Sequence, residues 1–191
     1  SSHLHTLIGG SRQQLLRRLQ LLYHHGHLER PRTQLDYFHR TGSQAIVYGL
    51  ENRGVAALRE FLARDDRQVA APGSRKVGRL FLEHALLASD VMVALETACR
   101  GHDLARFMDS AEISLPEETR RLPEPFRWSV KLDGAQKLGV IPDRVFALEF
   151  RDGDGSSRRV LFFVEADCGT MPVSRRSLAQ SSFHRKLLAY E

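Results

Sequence analysis

Cysteine is scarce in this chain of 191 residues: Cys99 and Cys168 stand alone, with no CxxC and no ligand-like spacing. Two isolated thiols argue against a disulfide scaffold, give no basis for a structural zinc site and fit a reducing cytoplasm. Long apolar runs are missing too. No stretch approaches the roughly 20 residues that a membrane-spanning helix needs. The opening Ser1 to Gly10 lacks the charged-then-apolar layout of a secretory signal. There are no internal repeats and no low-complexity tracts. His3, His5, His24, His25 and His27 fall at spacings that fit no metal site. His84 and Asp90 lie six apart on one predicted helix and so do not share a face.

What is present is a soluble-protein composition, 42% hydrophobic and 27% charged, enough for a real core in one large or two small domains. The net charge of +5 is unevenly spread. Residues 1–76 carry 12 Lys/Arg against 6 Asp/Glu, whereas residues 77–191 carry 16 against 17. A basic segment joined to a near-neutral one points to a polyanion-binding module on a scaffold with another task. A basic surface that only confers solubility is the plainer alternative.

From Ser11 to His25 the apolar residues Leu15, Leu16, Leu19, Leu22 and Tyr23 fall on one helical face. Ser11 or Gly10 caps the start and Gly26 stands at the stop. A short apolar piece, Leu4 to Ile8, precedes it. Strands are expected at Gln34–Phe38 and Ala45–Leu50 around a turn at Thr41–Ser43, then a helix from Asn52 to about Arg64. Short helix, glycine turn, helix, hairpin, helix is the winged helix-turn-helix order. Asp65–Lys76, with Pro72-Gly73, reads as a linker. A long helix, Arg79 to Cys99, is apolar around much of its girth and is expected to be buried against a sheet. Strands follow at Phe126–Leu132, Ile141–Phe150 and Arg159–Glu165, with RDGDGSS as a hairpin turn, and a last helix from about Ser174 to Tyr190. The expected fold class is α+β: a winged helix-turn-helix domain over 1–64, a linker over 65–76 and an α/β domain over 77–191. A complete winged helix has a further helix before the first one here, and the second domain a further strand after Tyr190. A fragment or a variant would begin and end as this chain does.

A recognition helix needs polar and cationic side chains near its N-terminus, the end that enters the major groove. Gln13, Gln14 and Arg17 are suitably placed to read base edges, since glutamine bonds adenine and arginine bonds guanine. Arg12 and Arg18 are placed for phosphates, and Arg40 at the wing tip for the neighbouring backbone. The expected partner is double-stranded DNA. A merely solvated helix face would present the same residue types.

In the second domain Asp143 follows Pro142 at a strand start, Glu165 and Asp167 close the next strand, and Lys186 lies on the last helix. Hairpin-linked strands ending in carboxylates can hold Mg²⁺, with Asp143, Glu165 and Asp167 as ligands, and a lysine can stabilise charge on a phosphate. That is the logic of PD-(D/E)xK nucleases. The pattern is partial, because Asp167 stands where their lysine would be and Lys186 would substitute from the helix. Turn formation, helix capping and pairing with Arg175, Arg176 or Arg185 are the structural alternatives.

The segments GGSRQQLLRRLQLLYHHGHLERP, YGLENRGVAAL, LEHALLASDVMVAL, IPDRVFAL, FFVEADCGTMPV and KLLAY occur in this order, and together they resemble the replication-relaxation family of plasmids and mobile elements. The resemblance implies a winged-helix DNA-binding part and a C-terminal part similar to restriction-endonuclease-like folds. It carries Asp143, Glu165, Asp167 and Lys186 over as site residues. Three functions follow as expectations: a DNA-binding accessory or regulatory protein of plasmid replication or mobilisation, a Mg²⁺-dependent DNA nuclease or nickase, and a protein-interaction module. A homodimer and replication or mobilisation proteins are the further partners left open.

Overall fold

Leucines recurring at helical spacing need a surface to pack on, and the computed structural model of the chain reveals what supplies it. The structure describes residues 1–34, 45–62, 78–103, 105–132, 137–153 and 155–191. Helix α1 (Ser2–Ile8) leads across Gly9 and Gly10, at φ 72° and 75°, into α2 (Arg12–His24). Two successive left-handed residues turn the chain only because both lack a Cβ. The Ser11 hydroxyl caps α2, accepting from the Gln14 N–H at 3.4 Å. Gly26, at φ 74°, then lets the chain leave the helix for strand β1 (Leu28–Glu29).

β1 pairs antiparallel with β2 (Gly49–Leu50), Leu28 opposite Leu50, and α3 (Asn52–Leu62) follows at once. A two-residue ribbon is weak by itself. Side chains reinforce it. The buried Gln34 carboxamide both donates to the Val47 carbonyl (3.1 Å) and accepts from the Val47 N–H (2.9 Å), as a strand neighbour would. The Arg30 guanidinium lies over the Tyr23 ring at 4.2 Å and donates to the Tyr48 hydroxyl at 3.0 Å. Leu19 of α2, Pro31 and Val55 of α3 are buried.

The expected hairpin is corrected in two respects. Ala45–Leu50 is a strand only at Gly49–Leu50, paired with Leu28–Glu29, and Gln34, where the expected first strand begins, lies with Thr33 in a helical turn. Residues 35–44, which hold most of the expected first strand and its turn, lie outside the described residues, as does the expected linker at 65–76.

Helix α4 (Arg79–Arg100) has the expected span, but it is not the buried helix its composition implied. Ala88 alone along it is fully buried, while Leu80, Phe81, Leu87 and Val91 are exposed. An apolar surface running around so much of a helix exceeds what the described elements can cover. The chain forms two compact units, Ser1–Val93 and Ala94–Glu191, and α4 contributes to both. No helix among the described residues is long and apolar enough to cross a membrane.

The second unit is built on strands β3 (Ala105–Asp109), β6 (Arg144–Arg151) and β7 (Ser157–Val164), in the order β3-β6-β7, all antiparallel. A 3-10 turn at Ser110–Glu112 and the short α5 (Glu117–Arg120) follow β3. β4 (Trp128–Lys131) and β5 (Lys137–Val140) form a separate hairpin. α6 (Phe183–Tyr190) closes the chain. Phe146 sits on the sheet between Phe107 and Phe162, with ring centroids 5.5 and 4.9 Å away, an aromatic ladder across three strands. Leu138 and Val140 of β5 meet Ala189 of α6 in a core shared with Val130, Leu178 and Leu188. The RDGDGSS turn joins β6 to β7 as expected, with Gly155 at φ 86° and its N–H donating to the Asp152 carbonyl.

Three sequence expectations change here. β3 and β5 are additional strands. Ile141–Phe150 begins only at Arg144, because Pro142 interrupts the ladder. The last helix starts at Phe183 rather than Ser174, capped by the buried Ser182 hydroxyl, which accepts from the Arg185 N–H at 3.2 Å.

Gly54 marks the closest approach in the first unit: a Cβ there would lie 2.2 Å from the His27 carbonyl oxygen, which is itself bonded to the Glu51 N–H. Gly54→Ala is therefore expected to lower stability in urea unfolding by about 1–3 kcal/mol. Gly78→Ala, which meets nothing within 4 Å, serves as the neutral control. Equal stability of the two variants would contradict this packing.

Candidate functional site

The first candidate surface is the outer side of α2. Leu15, Leu16 and Tyr23 are half-buried and Leu19 is buried. This inward anchoring turns Arg12, Gln13, Gln14, Arg17 and Arg18 outward, and all five are exposed. Gln13 and Arg17, and likewise Gln14 and Arg18, stand one helical turn apart on neighbouring rows. No acidic residue occupies the first turn. Among the described residues neither Arg17 nor Arg18 is ion-paired. Leu22, expected in the apolar stripe, is 42% exposed. Arg40 lies outside the described residues.

The second candidate is a carboxylate cluster in the other unit. Pro142 ends β5 and delivers Asp143 to the start of β6. The Asp143 N–H donates to the Val164 carbonyl (3.0 Å), and its Oδ2 accepts from the Ala166 N–H (2.8 Å), so this residue clips the end of β7 from both sides. The next side chain along, Glu165, is half-buried and engaged at both oxygens. Oε2 accepts from the Lys186 ammonium and Oε1 from the Tyr190 hydroxyl at 2.7 Å. Lys186 and Tyr190 are four apart on α6 and therefore share a face. Burial pushes the Tyr190 phenol above its ordinary range, and the hydrogen bond to Glu165 and the negative charges of Glu165 and Asp143 push the same way.

Of the expected site residues, Asp143, Glu165 and Lys186 are thus brought together. Asp167 is not: it is exposed, and its Oδ1 accepts from the Gly169 N–H at 2.9 Å in a tight turn where Gly169 has φ 72°. Tyr190 was not singled out from the sequence, although its i+4 spacing from Lys186 in KLLAY was a usable signal. Among the described residues no group of three or more His, Cys, Asp or Glu side chains is arranged to hold a metal ion. As it stands the cluster does not fit Mg²⁺, because both Glu165 oxygens are taken by donors on α6 and Asp143 Oδ2 by a backbone N–H. The arrangement ties α6 to the end of the sheet. Among the described residues His84 and Asp90 form no shared metal site, and Asp90 Oδ1 accepts a hydrogen bond from the His3 ring Nε2 at 2.5 Å.

The family described as replication-relaxation matches the chain over residues 1–191, and the chain belongs to that family. Membership suggests a role in plasmid replication or mobilisation. No curated protein and no solved structure matches the chain.

The Tyr190 environment has a consequence at alkaline pH. A phenol whose folded-state pKa is raised binds its proton more tightly when folded, so its stabilising contribution is present below its unfolded value of 10.0 and is lost as pH rises above it. Urea unfolding across that window should fall more steeply for the wild type than for Tyr190→Phe. Parallel stability curves for the two proteins would contradict the Glu165–Tyr190 contact.

Proposed function

We propose that the first unit is a winged-helix module that binds duplex DNA, with α2 as its recognition helix and the β1–β2 ribbon as the base of its wing. The protein then acts as a DNA-binding accessory or regulatory factor in plasmid replication or mobilisation. The observation that carries this reading is the outward face of Arg12, Gln13, Gln14, Arg17 and Arg18 on α2, with no acidic residue in its first turn and, among the described residues, no ion pair at Arg17 or Arg18. Arg17 and Arg18 present charge to phosphates, and the two glutamines present amides of the right kind for base edges. The concentration of positive charge in residues 1–76 supports the same conclusion, since electrostatic attraction to the phosphates supplies most non-specific affinity. In this reading the DNA-binding domain is 1–64, the linker 65–76 and the scaffold domain 77–191.

Cleavage of DNA by the second unit is the rival reading, favoured by the convergence of Asp143, Glu165 and Lys186. The cluster is better accounted for as a fastening. Each of its carboxylates already has donors from the chain itself, and Asp167 stands apart. We therefore assign the cluster to the scaffold of the second unit, with DNA binding residing in the first.

Fluorescence anisotropy on a labelled duplex tests the proposal. Affinity should fall by orders of magnitude between about 50 and 200 mM salt, with each phosphate contact adding about 0.9 to the log–log slope. Arg17→Ala should weaken binding about tenfold, within the ~1–3 kcal/mol expected of one good base or phosphate contact. Binding that ignores salt, or that survives Arg17→Ala and Arg18→Ala together unchanged, would overturn it.

A further inference from the structure

We propose that the outer face of the β4–β5 hairpin is a second phosphodiester-binding surface, one that grips the DNA backbone from the second unit, separate from α2 and from the carboxylate cluster. The register places Lys131 directly opposite Lys137, and Ser129 opposite Gly139. Because the alternate residues Val130, Leu138 and Val140 pack toward α6, these four occupy the other face. Arg127 joins them. Its guanidinium lies across Gly139, where an added Cβ would be 3.3 Å from Nη2 and 3.4 Å from Nε. A shallow cleft of about 460 Å³ runs along this face past Leu122, Pro123 and Arg127 to Lys137.

Two like charges directly opposite on a hairpin repel and cost stability unless something offsets them. Among the described residues no offset is present. Among the described residues Arg127, Lys131 and Lys137 have no carboxylate partner, and all three are exposed. Glu124 is the one carboxylate lining the cleft, and its part in the contacts is played by its backbone carbonyl, which accepts from the Arg127 N–H at 3.1 Å. Nor is the pairing the by-product of a lysine-rich surface. The chain has four lysines, and two of them face each other here, in a region that is otherwise near neutral. Along the strand Arg127 and Lys131 stand four residues apart on this face, about 14 Å at ~3.4 Å each, with Ser129 between them. An open, flat row of unmatched cations is suited to a repeating polyanion. It lacks the concave enclosure that a small anion or an acidic peptide side chain would need for specificity.

The test compares the full chain with its Lys131→Gln/Lys137→Gln variant on a labelled duplex, in the wild-type background and in Arg17→Ala/Arg18→Ala. Loss of two phosphate contacts should lower the log–log salt slope by about 2 and weaken binding about tenfold or more near physiological salt. The variant should unfold at the same temperature as the wild type or higher, since a repulsive pair has been removed, so weaker binding with retained stability identifies contact rather than misfolding. Lys137→Glu, which sets an opposite charge against Lys131, should be at least as stable and bind more weakly still. Wild-type affinity and slope in the double-Gln variant would overturn the proposal and leave the α2 reading intact. Binding that survives Arg17→Ala/Arg18→Ala but is lost on the hairpin substitutions would uphold it and overturn the α2 reading. Absence of DNA binding by the wild type would overturn both.

Discussion

The constraint on which the first unit depends is the covering of one side of α2. Leu15, Leu16, Leu19 and Tyr23 must leave water, and β1 is the element set against α2. The cover is held close by a glycine. Gly54 lets α3 come down onto the His27 carbonyl, at a separation no Cβ could share. Once that side is fixed, the helix has no freedom over the other. Its arginines and glutamines face outward because Leu15, Leu16, Leu19 and Tyr23 face inward, so packing sets the orientation of the charges.

The second unit obeys a different rule. There the polar groups do the fastening. A glutamate at the end of β7 takes one donor from Lys186 and one from Tyr190, and Asp143 pins the backbone on which that glutamate stands. The same economy appears on the sheet surface, where Glu149 is flanked by Arg159 (2.7 Å) and Arg106 (3.7 Å) from the two neighbouring strands. The hydrogen bond from Arg159, assisted by the surrounding arginine charges, holds that carboxyl below its usual range. Among the described residues the hairpin lysines, set opposite each other with no carboxylate partner, contrast with these paired charges.

Much of this was legible in the sequence where a single periodicity dominated. α2 and its Ser11 cap, α4 and the RDGDGSS turn declare themselves through helical spacing, a capping hydroxyl and turn glycines. β1 was not legible, because two residues carry no alternation. β3 and β5 are short and lie beside stronger signals: a long helix ahead of the one, and Pro142 close behind the other. The burial of α4 was misread because composition reports how apolar a helix is, while burial depends on what the rest of the fold brings to it. At the carboxylate cluster, Asp143, Glu165 and Lys186, singled out by residue type, lie near one another in the structure. Residue type did not foretell Asp167, whose side chain is used locally by its own turn, nor Tyr190, whose part is visible only once α6 is laid beside β7.

A family tied to plasmid replication, a basic first unit and an exposed polar helix face are the grounds on which we propose that α2 binds DNA. Backbone amide chemical-shift mapping during titration with a duplex tests that claim most directly. Shifts concentrated on Arg12 to Arg18, fading in high salt, are the predicted result. A titration that leaves those amides unmoved while others respond would contradict it.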